Sequence, residues 1–408
     1  MSETKSRIWA VLRRREVITI CLFAFLTDMI IGIVSPTLSL FAQSLGASLS
    51  LVGILAATMG LARFGSSLFI GTFSDRRGRK SILMAGMALM ALAALLYSVV
   101  TVPYGLLGIN VLFGVGFTAT LTIALAYLAD VTSVRERSLV FGLITTAMGL
   151  GFALGSLLGG RVAASSGYPS AYLIALLGAV AAFGLAWRGV PDQPSPTRLV
   201  GPGMPSWKRQ LGVMLANPLI LAACVGTILS NLVFNGLIVT FVPIYANGLG
   251  MGQALIGSLF ATRALASTFA RLPAGALGTI FPGYRVMLAA LIGSAIVAFA
   301  LPQSGNATVL MLLLMVEGVA YGLYLTSGQT TVAEHADPSS RGAALGMYMA
   351  AASVGDSVAP FFLGIVADRL GIITVFYVVG GLAVVGVIVM ARILMGRRVE
   401  IRRVSERN

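Results

Sequence analysis

Along the whole chain, apolar runs of about 20 residues alternate with short polar breaks. Twelve runs are read near 17–41, 49–73, 81–101, 104–128, 139–164, 169–190, 213–246, 253–279, 285–301, 306–333, 341–367 and 371–394. Each is long enough to cross the roughly 30 Å hydrocarbon core of a bilayer as a helix. The first run, about 25 residues, exceeds the roughly 7–15 apolar residues of a signal peptide, so it reads as a retained span. The pattern predicts an all-α membrane protein with twelve transmembrane helices.

The two halves of this pattern repeat. At a constant offset of 204 residues, Phe41-Ala-Gln-Ser-Leu-Gly46 falls on Tyr245-Ala-Asn-Gly-Leu-Gly250. Gly53 falls on Gly257, Gly114 on Gly318, Arg137 on Arg341 and Gly151 on Gly355. Between the halves, residues 191–210 hold five of the 15 prolines and read as a linker. The expected organisation is a six-helix bundle over 1–190, a cytoplasmic linker over 191–210, and a second bundle with a basic tail over 211–408. Two pseudo-symmetric bundles with a midplane site between them is a common plan for secondary transporters.

Composition sharpens the class. Only 42 of 408 residues are charged, 28 basic and 14 acidic, while 57% are hydrophobic. A soluble domain carries about 25% charge, so a soluble enzyme, a disordered chain and a transcription factor are excluded. The net charge of +14 has a topological explanation. Twenty-three Lys and Arg residues fall in the two tails, the linker and alternate loops, all on one face if there are twelve spans. That face is expected to be cytoplasmic, with both termini there, and no nucleic-acid partner is needed. Cys21 and Cys224 lie inside apolar runs and suggest no disulfide framework. His335, the single histidine, has no ligand cluster around it for a metal.

The loop after the second run reads Gly71-Thr-Phe-Ser-Asp75-Arg76-Arg77-Gly78-Arg79-Lys80. Basic residues alone would serve as a topological anchor, but the acid and two glycines at fixed spacing are not required by that role. Gly71 permits close helix approach and Gly78 a tight turn. The segment resembles motif A of the major facilitator superfamily. The resemblance implies the twelve-helix major facilitator fold. It also implies a cytoplasmic gate formed by Gly71, Asp75, Arg76, Gly78, Arg79 and Lys80, with Asp130, Arg135 and Arg137 of the 4–5 loop as partners. Gly142, Gly151, Gly155, Gly159 and Gly160 in span 5 resemble the antiporter motif of the drug–proton antiporter branch. Ser156 stands where that motif has Pro, while Pro360 holds the repeat-related position in span 11. In span 4, Asn110 stands where the family has a membrane Arg.

Three acids lie inside spans: Asp28, Glu317 and Asp356. A charge there costs roughly 2.5–3.5 kcal/mol, so such groups usually face a cavity and carry function. Burial penalises the charged form of a carboxyl, the property a proton carrier uses. The Asp28 segment is similar to span 1 of tetracycline-type exporters, and acids in spans 1, 10 and 11 resemble vesicular amine transporters. Arg63 and Arg263 are the membrane cations that would pair with such acids or with an anionic substrate group. Asn110, Asn231, Asn235, Gln329 and Tyr321 are candidates to line a cavity. For each of these the plain alternative is helix packing.

The sequence thus points to a secondary transporter and not an enzyme. The expected activity is proton-coupled efflux of small amphipathic or drug-like molecules by alternating access. The expected partners are a small-molecule substrate, protons and the lipid bilayer, for a monomer in the inner membrane. No cofactor is expected, since no phosphate-binding loop is present and a proton gradient would supply the energy. Uptake of a sugar, siderophore or lysolipid on the same fold is the first alternative. A non-transporting membrane sensor is the second, and a membrane-embedded enzyme would need an acid–base or metal constellation that the sequence does not show.

Overall fold

The computed structural model describes residues 14–133, 136–191, 212, 217–336 and 341–405. The helices are α1 (Arg15–Ser44), α2 (Leu49–Arg77), α3 (Arg79–Val99) and α4 (Gly105–Val131). A 53-residue helical run, Arg137–Gly189, follows. At 1.5 Å per residue it would be about 80 Å long, more than twice a bilayer core. It breaks at Gly167, whose φ of 83° suits a residue without a Cβ, and Pro169 follows. The break gives α5, 137–166, and α6, 168–189. The second half contains α7 (Pro218–Gly248), α8 (Gln253–Ile280), α9 (Gly283–Ala300), α10 (Ala307–His335), α11 (Arg341–Leu370) and α12 (Ile372–Ser405).

Ten described segments are long and apolar enough to cross a membrane, with Arg137–Gly189 counted as one span of Leu139–Gly189. The break at Gly167 makes two spans of it. Helix α8, 28 residues long and carrying Arg263 and Arg271, completes the twelve. Helix α7 is not uniform. Its middle, Leu232–Val239, is π-helical, a feature the apolar run from 213 to 246 did not announce. The expected linker lies outside the described residues apart from Pro191.

The chain forms two compact units. One comprises Met1–Ser48, Thr58–Gly201 and Ala246–Leu265; the other comprises Leu49–Ala57, Pro202–Tyr245 and Ala266–Asn408. The start of α2 therefore belongs with the second unit, and the start of α8 with the first. Within the first unit, α1 packs along the Arg137–Gly189 run and α3 packs on α4. The fully buried rings of Tyr97 on α3 and Tyr172 on α6 lie 5.2 Å apart at the centre of that packing. Within the second unit, α7 packs on α11, and α9 packs on α10 and α12. Its core joins Cys224, Met287, Leu291, Tyr324, Tyr348 and Met390. Large apolar side chains such as Phe69, Leu177, Leu312 and Val385 remain on the outside. They form the surface a bilayer covers, which accounts for the hydrophobic excess of the sequence.

Candidate functional site

In the second unit, two of the sequence candidates meet. Asp356 on α11 is nearly buried, and its Oδ1 accepts a 2.5 Å hydrogen bond from the Asn235 carboxamide on α7. Asn235 sits in the π-helical segment. There the Thr240 hydroxyl donates to the Asn235 carbonyl oxygen at 2.6 Å, five residues back, matching the i→i+5 spacing of a π turn. The preceding residue, Phe234, places its ring 4.6 Å from Tyr321 on α10. Glu317, one turn before Tyr321, is almost fully buried. The segment 232–239 thus touches both helices that carry the membrane acids of this unit. Asn231 is spent locally, its amide donating to the Thr227 carbonyl at 2.9 Å. Gln329 is half-buried on α10.

In the first unit, Asp28 is half-buried on α1. Arg63 on α2 lies over the Phe117 ring of α4 at 4.9 Å, a cation–π contact. Arg263 on α8 is 3% exposed. Asn110 is fully buried and accepts a 2.7 Å hydrogen bond from the Tyr97 hydroxyl, so here it is a packing residue and does not line a cavity.

The span 5 glycines have a clear steric role, with one exception. A Cβ at Gly151, Gly155 or Gly159 would fall on the backbone of Phe25, Met29 or Ile33 of α1. Each step is four residues on both helices, one turn, so the two backbones run in direct contact. The adjoining face carries Gly160, whose Cβ would meet the backbone of Gln253 and Gly257 on α8. Gly142 has nothing around it and does not share this role. Ser156 is fully buried, and its hydroxyl donates to the Phe152 carbonyl at 2.9 Å, the bond of a continuing helix.

The 204-residue repeat reappears in atomic contacts. A Cβ at Gly53 would meet the Pro360 carbonyl and Gly364; one at Gly257 would meet the Ser156 carbonyl and Gly160. These two crossings differ in their polar closure. At the first, the Asp368 carboxylate accepts the backbone N–H groups of Leu49 and Ser50, both at 2.9 Å, and so caps α2 from another helix. At the second, the Gln253 amide donates to the Tyr168 hydroxyl at 2.7 Å. Asp368 sits at a span end, where an acid is unremarkable in the sequence, and its offset partner, Ala164, carries no acid.

At the basic-loop end of the first unit, Gly78 takes φ 88° between α2 and α3, the tight turn expected of it. Arg79 reaches Asp130 at 3.1 Å and the Ser74 hydroxyl at 3.0 Å. Lys80 is half-buried beside it. The side chains of Asp75, Arg76 and Arg137, and the surroundings of Gly71, lie outside the described residues, as does Arg135. Glu136, which the sequence does not mark out, binds Arg14 with both oxygens at 3.0 and 3.2 Å. The Ser133 hydroxyl and N–H, then Arg14, hold the Glu136 carboxyl below its ordinary range.

The family model described as Major Facilitator Superfamily matches residues 20–252 and 223–408, nearly the full chain. The chain belongs to the Major Facilitator Superfamily. It is a membrane transporter and not an enzyme, with the twelve-helix fold of that superfamily. An uncharacterised superfamily transporter of Methanocaldococcus jannaschii is 24% identical over 89% of this chain and 94% of its own length. A chloramphenicol resistance protein of Pseudomonas aeruginosa is 25% identical over 65% of this chain and 62% of its own. Among solved structures, the nucleoside transporter NupG superposes with a TM-score of 0.77 at 16% identity, covering 93% of this chain and 99% of that one. The last likeness concerns the superfamily fold alone. The Gly78 turn and Arg79 belong to the 71–80 segment, and Asp130 reaches them from the end of α4.

Proposed function

We propose that this protein is a proton-coupled exporter of small amphipathic, drug-like molecules, working by alternating access in the cell membrane. The observation that carries the proposal is a carboxyl group inside a span, Asp356, hydrogen-bonded by a carboxamide from a distorted helix. A carboxyl held by an uncharged donor keeps a partner in either protonation state, which suits a group that must gain and lose a proton in each cycle. Asp28 and Glu317 are the further proton or substrate groups, with Arg63 and Arg263 as charge partners. The basic loops and both termini face the cytoplasm. There Arg79–Asp130, with the rest of the motif A loop, forms the gate. The similarity to a chloramphenicol resistance protein supports the export direction and the drug-like class.

The test is transport in proteoliposomes with an imposed pH gradient. Chloramphenicol and a panel of amphipathic cations serve as substrates. Export requires that substrate moves against the proton flow and that Asp356→Asn removes the gradient-driven part. Substrate that accumulates along with inward proton flow would contradict antiport.

A further inference from the structure

The π-helical segment of α7 is the least regular backbone inside a described span, and its two polar and aromatic contacts reach two different helices. We propose that Leu232–Val239 is a protonation-controlled register switch, with Asn235 as the positioning residue that reports the charge of Asp356 to the Phe234–Tyr321 ring pair. The proposal rests on the reading of Asp356 as a proton carrier.

The chemistry is simple. When Asp356 is a carboxylate, its bond from the Asn235 amide is charge-assisted, roughly twice as strong as a bond between neutral groups. Uptake of one proton, delivered by the gradient, converts the carboxylate to a neutral acid and weakens that bond. A π turn carries one residue more than an α turn and is the less favoured backbone, held in place by local contacts. Here those contacts are Asn235–Asp356 and the Thr240 hydroxyl on the Asn235 carbonyl. Weakening the first lets the turn revert toward α. Loss of the extra residue rotates the rest of α7 by about 100° relative to its start, given 3.6 residues per turn. The Phe234 ring, next to Asn235 in the chain, cannot keep its place on Tyr321 through such a change. A proton on α11 thereby alters an aromatic surface on α10 without touching it.

Other titratable groups lie on the elements packed about this segment. The start of α2 packed near Pro360, Leu49–Ala57, has no titratable side chain, and neither has 232–239. On α10 the groups nearest in register are Glu317 and Tyr321. Farther along α7 lie Cys224 and Tyr245, α11 itself carries Tyr348, and α12 contributes Tyr377, Arg392 and the charged residues from Arg397 onward. Glu317 is thus the second acid able to bias the segment, through Tyr321 and Phe234.

Hydrogen–deuterium exchange of the full-length protein in nanodiscs, at pH 8.5 and 5.5, reads the switch without any transport. After correction for intrinsic exchange, amides of 234–241 should exchange about five- to tenfold more slowly at the lower pH, where the segment relaxes toward the better-bonded α form. Asp356→Asn and Asn235→Ala should show the low-pH rate at both pH values. Thr240→Val, a milder change outside the acid pair, should move the pH 8.5 rate part of the way toward the low-pH rate and retain a pH response. A wild-type segment whose exchange does not respond to pH would overturn the proposal. So would an unchanged response in Asn235→Ala, or a response that follows Glu317→Gln and ignores Asp356→Asn. Absence of proton-driven transport together with a clear exchange response would overturn the antiport reading and leave the switch standing.

Discussion

Two seams occupy corresponding places in the two units, α5 on α1 and α11 on α7, and they are built in opposite ways. In the first, Gly151, Gly155 and Gly159 let two regular helices meet backbone to backbone over three turns. In the second, the offset partners are Gly355, Ala359 and Leu363. Gly355 still meets backbone, that of Ile228, and the facing helix is π-helical at Gly236, opposite Ala359 and Leu363. Asp356 enters that seam with its Asn235 partner. Close glycine contact leaves no room for a side chain to move, whereas a seam holding side chains and a polar pair can exist in two states. The first unit's seam is a fixed bearing of backbone on backbone; the second unit's seam joins a titratable group, Asp356, to the facing helix through Asn235. The repeat that makes the halves alike in the sequence is thus the background against which their division of labour is visible.

Substitutions break this comparison most strongly in the glycine seam. Gly155→Leu sets a side chain against the Met29 backbone and should cost about 3 kcal/mol or more. The readout is thermal unfolding in detergent. The matched change in the other seam, Ala359→Leu, should cost less, about 2 kcal/mol, since that position already seats a Cβ beside Gly236. Equal losses would remove the distinction between the seams.

Next in size is the crossing of α2 with α11. Asp368→Ala removes the cap from two α2 N–H groups and should cost about 1 kcal/mol. Tyr168→Phe at the equivalent crossing loses one neutral acceptor and should cost about 0.5–1 kcal/mol. A larger effect at Tyr168 would show that the acid does not distinguish the two crossings.

Asp356→Asn should change stability by under about 1 kcal/mol, since the carboxamide still accepts from Asn235, while gradient-driven transport disappears. Smallest of all is the pH response of the Arg14–Glu136 contact. Glu136 titrates below its ordinary value, so the stabilisation is complete above that value and is lost as pH falls through the lowered one. Exchange in peptides covering the start of α1 should therefore respond only in strongly acidic buffer. A response near neutrality would assign it to another group.

Most of the fold was legible because membrane spans are specified by length and apolarity, which a single sequence displays directly. Each expected span has its helix, and the Gly167 break falls between the fifth and sixth runs. The offset of 204 located Gly53 with Gly257, and both proved to be close helix crossings. The site was legible in part. Asp356 and Asn235 were both named, but nothing in residue spacing could pair them, since 121 positions separate them. The π segment was missed because its only trace is Asn235-Gly236 in an apolar run, a pattern an ordinary helix also tolerates. Asn110 was read as a cavity residue because polarity inside a span says nothing of which partner satisfies it. That partner is Tyr97. Asp368 and Glu136 were passed over because acids at helix ends look alike until the groups they accept from are known.

Proton movement measured alongside substrate movement tests the central claim most directly. Wild-type protein and Asp356→Asn are reconstituted with a pH-sensitive dye inside the vesicles, and chloramphenicol is added on one side without an imposed gradient. The account predicts that substrate entering wild-type vesicles drives protons out, raising the internal pH, and that the variant shows no such change. Protons entering together with substrate, or an equal proton signal in the Asp356→Asn vesicles, would contradict it.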